Sequence, residues 1–251
     1  MPFWWTQIRY IGSKNKLSKE LAPIIQSFIT EDTRGYLEPF VGGANMIDKI
    51  ECRNRIGCDI HKQLISLLQY AQEHESDLPE RILEEEYKVV QNNKENYPDW
   101  YLGLVGFCAS FGAKYFSGYA RDSKSDNSGK WSAGAIKNLK KQLPQIKDVK
   151  FRNIRFQDLP LDKIKGYVVY CDIPYRGTTK YKTETFPYEE FYEWVKVASV
   201  NNVVLISEYS MPEDFICIWS KETKTLLDSN KSKSDDGNIR IEKLFTYKGG
   251  V

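Results

Sequence analysis

Histidine is scarce in this chain: His61 and His74 are the only two in 251 residues, beside three methionines. The five cysteines, Cys52, Cys58, Cys108, Cys171 and Cys217, include no C-x-x-C pair. Structural zinc and iron–sulfur centres need clustered thiolates and imidazoles, so neither is expected, and no metal is assigned. Unpaired spacing of this kind suits reduced thiols in a cytoplasmic protein. No stretch approaches the roughly 20 apolar residues of a membrane span. The opening Met-Pro-Phe-Trp-Trp lacks the basic start and apolar core of a signal peptide. An excess of one charge is missing as well: 36 Lys and Arg face 34 Asp and Glu, for a net charge of +2. Net charge therefore neither selects nor excludes a nucleic-acid partner, and its distribution has to decide.

That distribution is uneven. Between Lys137 and Arg155 lie Lys137, Lys140, Lys141, Lys147, Lys150, Arg152 and Arg155, against the single acid Asp148. Residues 73–86 are mostly acidic. A sum near zero thus hides a basic surface.

Apolar periodicity organises the rest. Leu17, Leu21, Ile24, Ile25 and Phe28 repeat at helical spacing and predict a helix over 17–28. Residues 35–41 read as a strand, Gly42-Gly43 as a turn, and 44–51 as a helix. Residues 55–59 read as a second strand, followed by a helix from His61 to about Glu75. Strand, glycine turn, helix, strand and acid form the βαβ pattern of a nucleotide-binding sheet. Residues 62–145 differ, being helical, charged and rich in aromatics: Tyr87, Tyr97, Trp100, Tyr101, Phe107, Phe111, Tyr115, Phe116 and Tyr119. They include Arg121–Lys130, a polar run without apolar residues that is expected to be a mobile loop. Helical spacing resumes over 135–143. Alternation over 149–156, apolar runs at 167–171 and 203–207, a helix over 186–200 and closing strands at 216–225 and 239–247 complete the α/β pattern. The chain thus reads as a discontinuous catalytic domain, 1–61 and 146–251, holding a helical insertion at 62–145.

Three sites carry chemistry. In Val168-Val-Tyr-Cys-Asp172-Ile173-Pro174-Tyr175 a buried strand delivers an acid, a proline and an aromatic at its carboxyl end, where open α/β sheets bind ligands. An aromatic exocyclic amine is a poor nucleophile, because its lone pair is delocalised into the ring. A carboxylate accepting one N–H and a main-chain carbonyl accepting the other would favour lone-pair character and stabilise developing positive charge. Asp172 and the Ile173 carbonyl can do this from adjacent positions, and Tyr175 can stack on an extruded base. Taken alone, the tetrapeptide reads as readily as a strand stopped by proline with a packing tyrosine. The second site is Leu37-Glu-Pro-Phe-Val-Gly-Gly-Ala44, whose glycines let backbone approach a ligand. The third is Asp59, 17 residues after Gly42, an offset suited to ribose hydroxyls or, more plainly, to capping the next helix.

Tyr10-Ile-Gly-Ser-Lys14, Glu38-Pro-Phe-Val-Gly-Gly43, Asp59 and Asp172-Ile-Pro-Tyr175, followed by Arg176-Gly-Thr-Thr-Lys-Tyr181, occur in that order. The chain resembles the Dam-type (D12 class) family of adenine-N6 DNA methyltransferases, of the kind common in phages and prophages. The resemblance covers nearly the whole chain. It implies a Rossmann-like class I methyltransferase sheet of seven mixed strands, helices on both faces, and a target-recognition insertion at 62–145. It also implies S-adenosylmethionine as cofactor, duplex DNA as partner, base flipping, and in-line transfer to N6 of adenine. The oligomeric state is not fixed by the residues; a monomer in solution is the expectation. Tyr10, Gly12 and Lys14 would hold the methionine end of the cofactor. Glu38, Phe40 and Gly42 would line it, Asp59 would bind the ribose, Phe156 and Asp158 would border its adenine, and Asp172 would face it. Asp172, Ile173, Pro174 and Tyr175 would form the catalytic pocket, bordered by Ser207, Glu208 and Tyr209. Lys14, Arg121, Lys124, Lys130, Lys137, Arg176 and Lys180 would contact DNA.

The family's tetrapeptide is Asp-Pro-Pro-Tyr, and Ile173 departs from it. The contact needed from that position is a carbonyl, which isoleucine also supplies, in the extended geometry that a following proline enforces. Related tetrapeptides methylate RNA bases or protein glutamine amides, so those substrates stay open. So does a DNA-binding protein that keeps the fold without turnover. The recognition sequence and a restriction partner cannot be read from the chain.

Overall fold

The computed structural model describes residues 17–121, 123, 128–176, 186–224 and 239–250. Its elements are α1 (Ser18–Ser27), β1 (Gly35–Glu38), β2 (Arg55–Asp59), α2 (Lys62–Glu73), α3 (Glu84–Asn92), α4 (Asp99–Gly103), α5 (Lys130–Ile146), β3 (Val149–Asn153), β4 (Tyr167–Asp172), α6 (Tyr188–Ser199), β5 (Val203–Glu208), β6 (Phe215–Lys224) and β7 (Ile239–Tyr247). Residues 228–238, between the two closing strands, and half of the 121–130 loop lie outside the described residues.

One seven-stranded sheet runs β3-β2-β1-β4-β5-β7-β6. β3, β2, β1, β4 and β5 pair in parallel, and β7 enters antiparallel between β5 and β6. The fold class read from the sequence, a mixed seven-stranded α/β sheet, is the one observed. A parallel strand covered on both faces must be apolar on both, which is why β4 and β5 read as continuous runs rather than alternating ones. Alternate residues serve opposite faces. Tyr36, Val168, Tyr170 and Leu205 join a core with α1, α2 and α5, while Leu37, Val169, Cys171, Val204 and Ile206 join one with α6.

The helices of 62–145 are tied into the first of these cores. Gln69 Nε2 donates to the Phe151 carbonyl at 2.9 Å, and Gln72 Nε2 to those of Ile146 and Val149 at 2.7 and 2.9 Å, so α2 is bonded to the β3 edge. Leu78, Ile82, Tyr87 and Val90 pack in the same core. α2 meets α4 where Gly103 faces Gln63; a Cβ at Gly103 would collide with the Gln63 carbonyl.

The helix expected over 44–51 is not formed. Gly42 and Ala44 adopt positive φ of 49° and 58°, and a left-handed residue cannot join a right-handed helix. The chain instead turns through 42–46 and makes one 3₁₀ turn at Ile47–Lys49.

Asn202 fastens β4 and α6 together. Its Nδ2 donates to the Ile164 and Ala198 carbonyls, each at 2.9 Å, and its Oδ1 accepts from Tyr167 N–H at 3.0 Å. Asn202→Leu takes this partner from the Ile164 carbonyl and the Tyr167 N–H, while the Ala198 carbonyl keeps main-chain donors at the end of α6, and a loss of about 2–3 kcal/mol is expected. Urea unfolding should show a lower midpoint with unchanged slope.

Candidate active site

The strand order reverses between β1 and β4: the chain winds outward through β2 and β3, then returns to β1's other side. Connections diverge at such a point and leave a crevice at the carboxyl ends of the strands. β1 ends there in Glu38 and β4 in Asp172. Glu38 is 3 % exposed and accepts a 2.8 Å hydrogen bond from Tyr36 Oη. Burial pushes its carboxyl well above the usual range; the nearby Asp48 and Asp172 charges add to the rise, while the Tyr36 bond and Lys49 oppose it. Asp172 is half-buried and pairs in register with Ser207, whose hydroxyl meets Tyr170 Oη at 2.8 Å.

Next to this pair lies the glycine turn. Gly42 N–H donates to Asp59 Oδ2 at 3.1 Å, and His61 N–H to Asp59 Oδ1 at 2.9 Å. The Asp59 carboxylate therefore pins the turn to the end of β2. Burial raises its pKa, and hydrogen bonds from the backbones of His61, Gly42 and Ile60 counter the rise. Gln142 of α5 reaches the same turn: its Nε2 donates to the Gly43 and Ala44 carbonyls at 3.1 and 2.9 Å and to Asp48 Oδ2 at 3.0 Å. His61 packs edge-to-face with both Phe107 and Tyr115, centroids 4.8 and 4.7 Å away, and burial lowers its pKa.

Aromatic side chains close one side. Phe40 packs against Phe156 at 5.5 Å, Phe186 at 5.7 Å and Phe191 at 5.8 Å. Phe156 is buried, whereas Asp158, ending the same 3₁₀ turn, is exposed. Sequence reasoning missed Ile60, which is 66 % exposed between Asp59 and His61. The one available signal was a lone apolar residue between a strand-end acid and a helix start.

The tetrapeptide follows β4. Ile173 is buried, Pro174 exposed and Tyr175 half-buried. Tyr175 packs edge-to-face on Tyr209, with centroids 4.4 Å apart, and its Oη donates to Glu242 Oε2 at 2.8 Å. The Pro174 carbonyl accepts from Tyr188 Oη at 2.8 Å, and Arg176 N–H donates to Glu208 Oε2 at 3.0 Å. Glu38, Gly42, Asp59 and Asp172 thus meet at one edge of the sheet. Tyr10, Gly12, Lys14, Lys124 and Lys180 lie outside the described residues.

Of the remaining basic residues, Lys130 and Lys137 are exposed on α5. Arg176 is exposed, 3.3 Å from Glu189 and over the Tyr188 ring at 5.1 Å. Arg121 forms a two-pronged ion pair with Glu84, which also binds Lys88 at 2.8 Å; the Arg121 hydrogen bond first, then Lys88, hold the Glu84 carboxyl down to about 2. Beside Arg121 a shallow groove of about 420 Å³ is lined by Phe111, Ser117, Gly118, Tyr119, Arg121 and Ser123. Phe111 stands out at 68 % exposure. Its loop is fastened behind it by Phe111 N–H to the Gly118 carbonyl at 2.8 Å and Gly118 N–H to Tyr87 Oη at 3.1 Å.

The parallel sheet with one antiparallel insertion, the glycine turn after β1 and the acids ending β1, β2 and β4 define a Rossmann-like methyltransferase. The sequence profile of the D12 class N6 adenine-specific DNA methyltransferases matches residues 10–104 and 100–200, and the chain belongs to that family. It is an adenine-specific DNA methyltransferase. The chain matches none of the curated proteins searched.

Glu38 yields a pH test. Its raised pKa means the folded chain keeps a proton that the unfolded chain has lost. This cost to stability begins near the ordinary value of 4.5 and grows with pH until the folded pKa is passed. Glu38→Gln retains an acceptor for Tyr36 and removes the titration. Urea midpoints are expected to favour the variant increasingly between pH 5 and pH 8; a pH-independent gap would contradict the assignment.

Proposed function

We propose that this enzyme transfers the methyl group of S-adenosylmethionine, in line and without a covalent enzyme intermediate, to N6 of an adenine flipped out of duplex DNA. The observation that carries this reading is the convergence of Asp172, Glu38, Asp59 and the glycine turn in one crevice. The donors suit the cofactor. Glu38 and Asp172 are acids that a cationic ligand would relieve of mutual repulsion. Asp59 receives N–H groups from Gly42, Ile60 and His61, which leaves about one of its four lone-pair sites for a ribose hydroxyl. Exposed Ile60 offers an apolar surface for a nucleobase, and Phe40, Phe156 and Asp158 are assigned to the cofactor with it. Tyr10, Gly12 and Lys14 are assigned to the cofactor's methionine end. When bound, S-adenosylmethionine supplies a methyl group already activated by its sulfonium.

The protein's part is positioning and charge. Asp172 accepts one N6 hydrogen and the Ile173 carbonyl the other, which draws the lone pair toward the methyl and stabilises the cation that forms. Asp172 acts as acceptor rather than strong base, since a proton can leave after transfer. Pro174 holds Ile173 extended, and Tyr175 stacks on the extruded base. Held in orientation, the encounter is worth about 7–11 kcal/mol.

Recognition is assigned to residues 62–145 and catalysis to 1–61 and 146–251. Lys14, Arg121, Lys124, Lys130, Lys137, Arg176 and Lys180 are assigned to DNA. Among the insertion's aromatics, exposed Phe111 on its fastened loop suits a wedge between bases. A cytoplasmic location accords with five free cysteines, and action as a monomer is assigned with it.

Incubation with duplex DNA and methyl-labelled cofactor, followed by nucleoside analysis, should yield labelled N6-methyldeoxyadenosine. Asp172→Ala is expected to reduce it about 10²–10³-fold, the usual cost of removing one transition-state hydrogen bond; undiminished product would overturn the assignment. Ile173→Pro restores the family tetrapeptide while keeping the carbonyl. Its initial rate should equal or moderately exceed that of the parent chain, and a dead variant would show that the isoleucine N–H or side chain is required.

A further inference from the structure

The catalytic segment leaves β4 as irregular chain, yet separate elements grip it at consecutive residues. α6 holds Pro174 through Tyr188 Oη, which donates to its carbonyl at 2.8 Å. β7 holds Tyr175 through Glu242 Oε2, which accepts its hydroxyl proton at 2.8 Å. β5 holds Arg176 through Glu208 Oε2, which accepts its main-chain N–H at 3.0 Å. The last of these is unusual chemistry. Glu208 is 1 % exposed, and burying a carboxyl group is costly unless its oxygens are hydrogen-bonded. Its second oxygen, Oε1, accepts Tyr209 N–H at 2.6 Å. One carboxyl group therefore bridges the exits of two neighbouring strands, and the residues it fixes are Tyr209 of the Tyr175–Tyr209 ring pair, 4.4 Å between centroids, and Arg176, which follows Tyr175. Tyr209 is itself approached by Arg240 of β7, whose Nη1 donates to its hydroxyl at 3.4 Å.

We infer that Glu208 is a positioning residue for methyl transfer: by accepting both main-chain N–H groups it sets the path of residues 173–176, and with it the direction of the Ile173 carbonyl relative to Asp172. This rests on the assignment of Asp172–Tyr175 to catalysis. The chemistry requires two acceptors. Glutamine has the same shape but presents one carbonyl oxygen and one NH₂, so either Arg176 N–H or Tyr209 N–H would face another donor. Aspartate keeps both acceptors on a stem one methylene shorter. Glu208 touches neither base nor methyl group, so its effect falls on the rate of the chemical step and not on affinity.

The test uses the full chain and a duplex bearing a sequence the parent enzyme methylates. Glu208→Gln is expected to slow single-turnover methylation about 10–100-fold, the scale of a sub-ångström to 1 Å misplacement of reacting groups. Cofactor and duplex dissociation constants should stay within about threefold of the parent. With 2-aminopurine at the target adenine, the fluorescence gain of an extruded base should persist. Glu208→Asp should recover part of the lost rate. A Glu208→Gln enzyme with parental single-turnover rate overturns the proposal, as does one whose rate loss is matched by loss of cofactor or duplex affinity. Asp172→Ala is run alongside: if it stays active, the underlying catalytic assignment fails; if it is inactive while Glu208→Gln is not, only the positioning role fails. Should Glu208→Gln not fold, Tyr188→Phe reads the same constraint from the protein surface. It should slow single-turnover transfer about threefold at unchanged affinities, and an unchanged rate there overturns the proposal.

Discussion

Parallel pairing of β1 with β4, at the place where the sheet reverses its winding, brings Glu38 and Asp172 to neighbouring strand ends. The other features of the site are arranged around this juxtaposition. Two acids in a half-dry crevice repel each other, and burial already pushes Glu38 toward its protonated form. The fold tolerates this because the β4 and β1 interiors are apolar on both faces, so the strands cannot slide or rotate to separate their ends without exposing Leu37, Val169 and Cys171, none of them exposed by as much as 1 %. Burial of Glu38 at this edge thus costs stability that the apolar strand interiors offset.

Around this pair, main-chain groups rather than side chains carry much of the architecture. The glycine turn is held by Asp59 on one side and by Gln142 on the other. Gln142 belongs to α5, the helix that also presents Lys130 and Lys137 to solvent. Residues 173–176 are fixed in a similar way, through the carbonyl of Pro174 and the N–H of Arg176. Where chemistry depends on the direction of a carbonyl, anchoring the peptide units beside it is the direct way to control it.

Several elements could be read from residues alone because a local pattern encodes them. β4 and β5 announce themselves as apolar runs, since two-sided burial leaves no polar alternation. α1 and α2 follow from 3.6-residue apolar spacing. Residues 44–51 mislead for an equally physical reason. Their apolar side chains are buried, Ala44, Met46, Ile47 and Ile50 among them, so the composition resembles a helix. The backbone is turned away from helix by left-handed geometry at Gly42 and Ala44 and by the bonds that Asp59 and Gln142 make to the turn. Those partners lie 17 and 98 residues distant along the chain and leave no local signature. Arg121 is similar: it counts as a free cation in sequence, while the structure pairs it with Glu84.

By itself, then, the amino-acid order determined the strands, most helices, the glycine turn and the acids at the ends of β1, β2 and β4. Each depends on the periodicity or chemistry of adjacent residues. Tertiary structure alone decided which strand ends become neighbours, that Ile60 and Phe111 remain in solvent, and that Glu208 and Glu242 reach back to residues 32 and 67 positions earlier. These are properties of pairing order across the sheet, and a linear pattern cannot encode a distance that exists only after β5 has paired with β4 and β7 with β5.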